Sequence, residues 1–184
     1  MLSKIEKIKI NIPQNCLLQI ANTLITNKHW CFAADDHSMS QQNFTENFFN
    51  NKIQDRGFYY QTFVKNRENI TNNNLNFWAS LIFEMIKEKS VLYKLHEIER
   101  IFWNFYHPNS NSNLHVDNSN PNFTSIVYNL HTNTGGTLFQ NSKGETQIIK
   151  SEQNEAIIFP SNILHKGLPP KTDACRFSLN IIVI

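Results

Sequence analysis

The spacing of apolar positions changes partway along this chain. Ile8, Ile10 and Ile12 alternate with Lys7, Lys9 and Asn11, a period of two that predicts a half-buried strand ending at Pro13. Leu17, Ile20, Ala21 and Leu24 then recur at helical spacing. A second helical stripe, Leu75, Trp78, Ala79, Ile82, Phe83 and Ile86, follows the Asn-rich turn at Asn72 to Asn74. From Ile98 onwards the pattern becomes short β-type runs between turn residues: ERIFWNFY, FTSIVYNL, GTLFQ, TQIIK, EAIIFP and RFSLNIIVI. Two helices ahead of many short strands predict a mainly β fold, a rolled antiparallel sheet with helical support on one side. Residues 28–70 are aromatic, with Trp30, Phe32, Phe44, Phe48, Phe49, Phe58, Tyr59, Tyr60 and Phe63, but have no clean period. They are a candidate lid, or a packed flap with no substrate contact.

At 184 residues the chain fits one domain with a real core. Its 17 Lys and Arg against 15 Asp and Glu leave a net charge of +2, too small and too dispersed for a nucleic-acid groove, so no such partner is expected. No segment has the length and apolarity of a signal peptide or a membrane span, which points to the cytoplasm, or to a host cell interior if the source is viral. Cys16, Cys31 and Cys175 show neither paired nor zinc-ligand spacing and read as buried free thiols. Nothing in the sequence fixes the oligomeric state.

Candidate chemistry lies in the β-rich part. Residues 115–117 read His-Val-Asp, and two positions apart on a strand means one face, so His115 and Asp117 can reach a common ion. His165, in FPSNILHKG, would complete a two-His, one-carboxylate set, the arrangement associated with non-haem Fe(II) oxygenases. Arg176, on the last strand, offers a planar fork suited to a carboxylate, and Ser178 shares its face. A lone His-x-Asp has little specificity. The ordered string is more specific: Asn104-Phe105-Tyr106, then His-x-Asp, an apolar strand, Gly135-Gly136, IIFP, His165 and Arg-x-Ser.

That string resembles the 2-oxoglutarate- and Fe(II)-dependent oxygenases, prolyl-hydroxylase-like branch, from Ile98 to Ile184. HVDNSNPNFTSIVYNLHTNTGGTLF is similar to the hypoxia-factor prolyl hydroxylases in particular. The resemblance implies a double-stranded β-helix, a cupin-like jelly roll, in residues 98–184, with residues 1–97 as helical support and candidate lid of the same domain. It also implies Fe(II) held by His115, Asp117 and His165. Arg176 would anchor 2-oxoglutarate, with Ser178 at the hydroxyl position beyond it. Tyr128 matches a tyrosine that bonds the same carboxylate, and Tyr106 is a second candidate. The cofactor set is Fe(II), 2-oxoglutarate and O₂, with ascorbate to sustain turnover. The substrate implied is a prolyl residue of a peptide or protein, with a small molecule close behind. The alkylated-base repair enzymes share Asn-x-Tyr but have a second Arg six residues after the first, where this chain has Ile182. Two other readings compete. A cupin-type metalloenzyme would need no Arg for a dicarboxylate, and a jelly-roll binding module would hold neither iron nor 2-oxoglutarate. The other histidines, His131, His107, His96, His37 and His29, are expected at the surface or satisfied in the core, with a substrate contact as the lesser alternative for His131.

Overall fold

The computed structural model describes residues 5–32, 57–65, 73–90 and 97–184. Among them run β1 (Glu6–Lys9), helix α1 (Gln14–Thr26), β2 (Cys31–Phe32), β3 (Phe58–Val64), helix α2 (Asn73–Lys89) and β4 (Ile98–Tyr106). There follow β5 (Thr124–Asn129), β6 (Gly136–Gln140), β7 (Thr146–Lys150), β8 (Glu155–Pro160), β9 (Leu164–Leu168) and β10 (Arg176–Val183). Phe44, Phe48, Phe49, His37, His96 and most of the candidate lid at 28–70 lie outside the described residues.

The strands form two antiparallel sheets. The larger has the order β1-β8-β5-β10-β4-β3-β2 and the smaller β7-β6-β9. His115 adds a single antiparallel bridge to His165 of β9. After β4 the chain therefore alternates between sheets: to the small sheet at His115, back for β5, across for β6 and β7, back for β8, across for β9, back for β10. Such winding of two facing sheets is a double-stranded β-helix, the fold expected from the sequence.

Three segments escaped the sequence reading: the two-residue β2, β3 and β9. β3 lies in the aromatic stretch, where Phe58, Tyr59 and Tyr60 come in succession and hide the alternation; its buried positions are Tyr60 and Thr62. β9 reads LHKGL, with only its two end residues apolar, and it is held as a strand by pairing with β6.

The large sheet is two-faced, and β10 shows why. Its eight residues are all buried, yet they alternate in character. Phe177, Leu179, Ile181 and Val183 point to the helix side, where they join Ile126, Trp103, Ile20, Leu24, Ile82 and Ile86 in the main core. α1 and α2 bury Leu17, Ile20, Leu24 and Leu75, Ala79, Ile82, Phe83, Ile86 there, the stripes their spacing predicted. Each fully buried Leu or Ile contributes ~1.5–3 kcal/mol by leaving water. A smaller core, Val127, Phe139, Ile149, Ile157 and Phe159, fills one end of the space between the sheets. The rest of that space is a cavity, and into it face the alternate residues of β10: Arg176, Ser178 and Asn180.

Candidate active site

His115 and His165, fifty residues apart in sequence, meet because their backbones pair. His115 N–H donates to His165 O and His165 N–H to His115 O, both at 2.9 Å, so the imidazoles project from the same side with ring centres 4.6 Å apart. Asp117 is not on a continuous ladder with His115. It lies in a bend, fixed by its N–H on Ser161 O at 3.0 Å, and that bend carries its carboxylate to the two rings. One ligand atom from each of the three residues lies within 4.8 Å of the others.

The donor set fits a metal ion. Nδ1 of His115 is 2.9 Å from Asn113 O and Nδ1 of His165 is 2.8 Å from Ile163 O. A carbonyl only accepts, so each Nδ1 carries a proton, which leaves Nε2 as the atom that would bind a metal in place of a proton. The Nε2 atoms face Asp117, at 3.5 Å from Oδ2 for His165 and 4.0 Å from Oδ1 for His115. His165 is buried between Phe139 and Phe159, whereas His115 is partly open to the cavity mouth. The Asp117 side chain is 2 % exposed. Burial alone would raise its pKa, but the hydrogen bond and charge of His165, the Arg100 guanidinium and the Ser125 hydroxyl outweigh it and hold the carboxyl below the usual range. The carboxylate is thus ionised and ready to act as a ligand.

Arg176 stands at the other end of the cavity. It is 1 % exposed. Nη1 donates to Gly136 O at 2.7 Å and Leu168 O at 3.3 Å, and Nη2 to Asn129 Oδ1 at 3.3 Å and Thr137 Oγ1 at 3.4 Å, while Nε has no partner among the described residues. None of these partners is a carboxylate, and burial pulls the guanidinium's pKa down from its usual value. A buried cation without a counter-ion is costly, and it calls for an anion. Tyr106 covers the guanidinium with its ring, centre to centre 5.2 Å, and lies against Gly167, where a side chain would collide with it. The cavity between the two ends measures ≈ 630 Å³, with Ser178 and Asn180 on its floor and Tyr59, Gln61 and Phe102 along one wall.

His115, Asp117, His165, Arg176, Ser178 and Tyr106 all line this one cavity. Tyr128 does not, and its expected place beside the dicarboxylate is corrected. It is on the opposite face of β5, fully buried in the helix-side core, and its hydroxyl donates to Asn154 Oδ1 at 2.8 Å. The alternate residues of β5, Ser125, Val127 and Asn129, face inward, and it is Asn129 that bonds Arg176. The polar character of Ser125 and Asn129, against apolar Ile126 and Leu130, was the available signal. His131 is also outside the cavity lining: Nε2 pairs with Cys175 O at 3.0 Å and the ring packs edge-on against Phe177. The sequence reading missed Arg100, whose Nη2 donates to Asp117 Oδ1 at 2.6 Å. Arg100, Phe102, Asn104 and Tyr106 are alternate residues of β4, so the alternation that placed Tyr106 inward could have found it.

A double-stranded β-helix holding two histidines and a carboxylate at one end of its cavity, and a buried arginine at the other, defines a metal-dependent oxygenase. Residues 101–183 match the family model of the 2OG-Fe(II) oxygenase superfamily. Over that span, 83 of the 184 residues, the chain is similar to this superfamily, whose enzymes work with Fe(II), 2-oxoglutarate and O₂. No curated protein matches it by sequence. Among solved structures it is similar to the non-haem alpha-ketoglutarate-dependent carbocyclase SnoK from nogalamycin biosynthesis, with TM-score 0.69 at 6% identity over 98% of this chain and 79% of that one. It is also similar to a prolyl hydroxylase from Trichoplax adhaerens in complex with a hypoxia inducible factor peptide fragment, with TM-score 0.65 at 13% identity over 98% and 83%. A third is HygX from Streptomyces hygroscopicus with nickel and 2-oxoglutarate bound, with TM-score 0.63 at 8% identity over 98% and 82%. At these identities the structural likeness speaks for the fold. No helix among the described residues is long and apolar enough to cross a membrane.

Proposed function

We propose that the chain hydroxylates a C–H bond of a prolyl residue in a peptide or protein, with His115, Asp117 and His165 as the iron ligands and Arg176 as the anchor of 2-oxoglutarate. The observation that carries the site assignment is a buried guanidinium without a carboxylate partner, in the same cavity as a His/Asp/His cluster. The outer carboxylate of 2-oxoglutarate supplies the missing charge, in charge-assisted hydrogen bonds to Arg176 supported by Thr137 and Ser178. Tyr106 closes over that end and keeps water from the ion pair. When bound, Fe(II) with 2-oxoglutarate supplies O₂ activation, coupling formation of succinate and CO₂ to oxidation of the substrate. The protein's share is positional. Backbone carbonyls fix the tautomer of both histidines, Ser125 and Arg100 hold Asp117, and the wall of Tyr59, Gln61 and Phe102 faces the space left for substrate.

The prolyl assignment rests on the likeness of HVDNSNPNFTSIVYNLHTNTGGTLF to prolyl hydroxylases, and the aromatic wall suits an apolar ring. A small molecule is the second reading, favoured by the cavity-lining amides of Gln61, Asn104 and Asn180. Both are tested by following succinate formation from 2-oxoglutarate. Stimulation by proline-containing peptides, with little effect of methylated single-stranded DNA, is expected. Strong stimulation by the nucleic acid with release of formaldehyde would overturn the substrate assignment. Absence of 2-oxoglutarate turnover under any condition would overturn the enzyme reading itself.

A further inference from the structure

Among the described residues that line the cavity, Arg100 is a cation whose role the mechanism leaves incomplete. It stands on β4 directly across from Ile182 of β10. Its guanidinium lies over the Phe102 ring, 5.2 Å from the centre, and Nη2 donates to Asp117 Oδ1 at 2.6 Å. Nε is buried without a partner among the described residues, and the ring and the carboxylate orient the side chain. The other carboxylate oxygen is held differently. Oδ2 accepts the Ser125 hydroxyl at 2.7 Å and a long contact from Asn180 Nδ2 at 3.5 Å, and it is the oxygen nearer His165 Nε2.

We propose that Arg100 is a positioning residue that makes Asp117 a one-oxygen ligand. A guanidinium nitrogen at this distance engages Oδ1 in a charge-assisted bond, which a neutral hydroxyl on Oδ2 cannot match. The metal is left Oδ2. A carboxylate free of the guanidinium would offer both oxygens, hold a dication more tightly, and occupy one of the positions that 2-oxoglutarate needs. Arg100 thus weakens the hold on the metal and keeps coordination sites open for the cosubstrate. The inference rests on the metal reading of His115, Asp117 and His165.

The test is anaerobic titration of the full metal-free chain with Co(II), followed by its visible d–d spectrum, and then titration of the Co(II) form with 2-oxoglutarate. Three proteins are compared: the unaltered chain, Arg100→Gln and Arg100→Lys, each checked for folding by thermal melting. Arg100→Gln is expected to bind Co(II) about tenfold more tightly with an altered spectrum, and 2-oxoglutarate about tenfold more weakly, an effect of the size usual for outer contacts to a metal ligand. Arg100→Lys, which keeps a cation, is expected to move both back toward the unaltered chain. Opposite shifts of the two affinities are what a merely structural lesion does not give. A Gln variant with unchanged Co(II) affinity and spectrum, or one that loses both ligands together, overturns the proposal. Should the Gln variant fail to fold, a Lys variant with both affinities lowered together overturns it as well. An unaltered chain that binds no Co(II) removes the metal reading, and this inference with it.

Discussion

Arg176 and Tyr106 are direct cross-strand partners on β10 and β4, and this register stacks the guanidinium 5.2 Å from the centre of the phenol ring. Cation and aromatic face attract, and together they form the deep end of the cavity.

Arg176→Ala is expected to keep its metal but bind 2-oxoglutarate more weakly by about one to two decades, the cost of losing a charge-assisted carboxylate contact. Tyr106→Phe, which removes only the hydroxyl, should cost less. Both are read from the visible band that appears when 2-oxoglutarate is added to the Fe(II) form under anaerobic conditions. An Arg176→Ala chain with unchanged 2-oxoglutarate affinity would refute the anchor.

Tyr128→Phe should leave that titration unaltered and lower thermal stability, because the hydroxyl serves Asn154 in the helix-side core. The expected loss is about 1 kcal/mol, seen as a lower melting temperature. A weakened 2-oxoglutarate affinity without a stability change would return Tyr128 to the site.

Gly167→Ala tests the seat of Tyr106 without replacing Tyr106, Arg176 or any of the three candidate metal ligands. The added Cβ would lie 2.7 Å from the Tyr106 hydroxyl oxygen and 2.8 Å from its ring, so the phenol must move off Arg176. Weaker 2-oxoglutarate binding by a folded, metal-competent protein is the expected result, and circular dichroism with the same band titration reads it.

His115→Ala, Asp117→Ala and His165→Ala should each abolish the visible band. A variant that keeps the band at full strength leaves the ligand set.

The order of elements was legible from residue 98 onward because most of those strands alternate cleanly or are uniformly apolar, and the His-x-Asp, distal His and Arg-x-Ser positions stand out within them. The inward face of β5 was only partly legible. Its pattern sets Tyr128 with Ile126 and Leu130 against polar Ser125 and Asn129, and the pairing of β5 with β10, Leu179 opposite Tyr128 and Ser178 opposite Asn129, fixes which set meets the cavity. A shift of one residue exchanges the two faces. Arg100 was overlooked for another reason. A charged residue near the start of a strand reads as solvent-facing until its carboxylate partner, seventeen residues away, is brought beside it by folding. His115 and His165 converge through a backbone bridge, which no spacing rule encodes.

β10 has a consequence for how this protein tolerates change. Phe177, Leu179, Ile181 and Val183 support the helices, while Arg176, Ser178 and Asn180 look into the cavity. Consecutive codons along this strand therefore answer to different selections. Substitutions at one parity, such as Leu179→Ala with its expected loss of about 2–5 kcal/mol, remove folded protein from the cell. Substitutions at the other leave the amount of protein intact and alter what it does. A library scanned along β10 and sorted separately for abundance and for turnover should give two combs whose teeth interlock. New specificities can thus accumulate on one comb without drawing on the stability stored in the other.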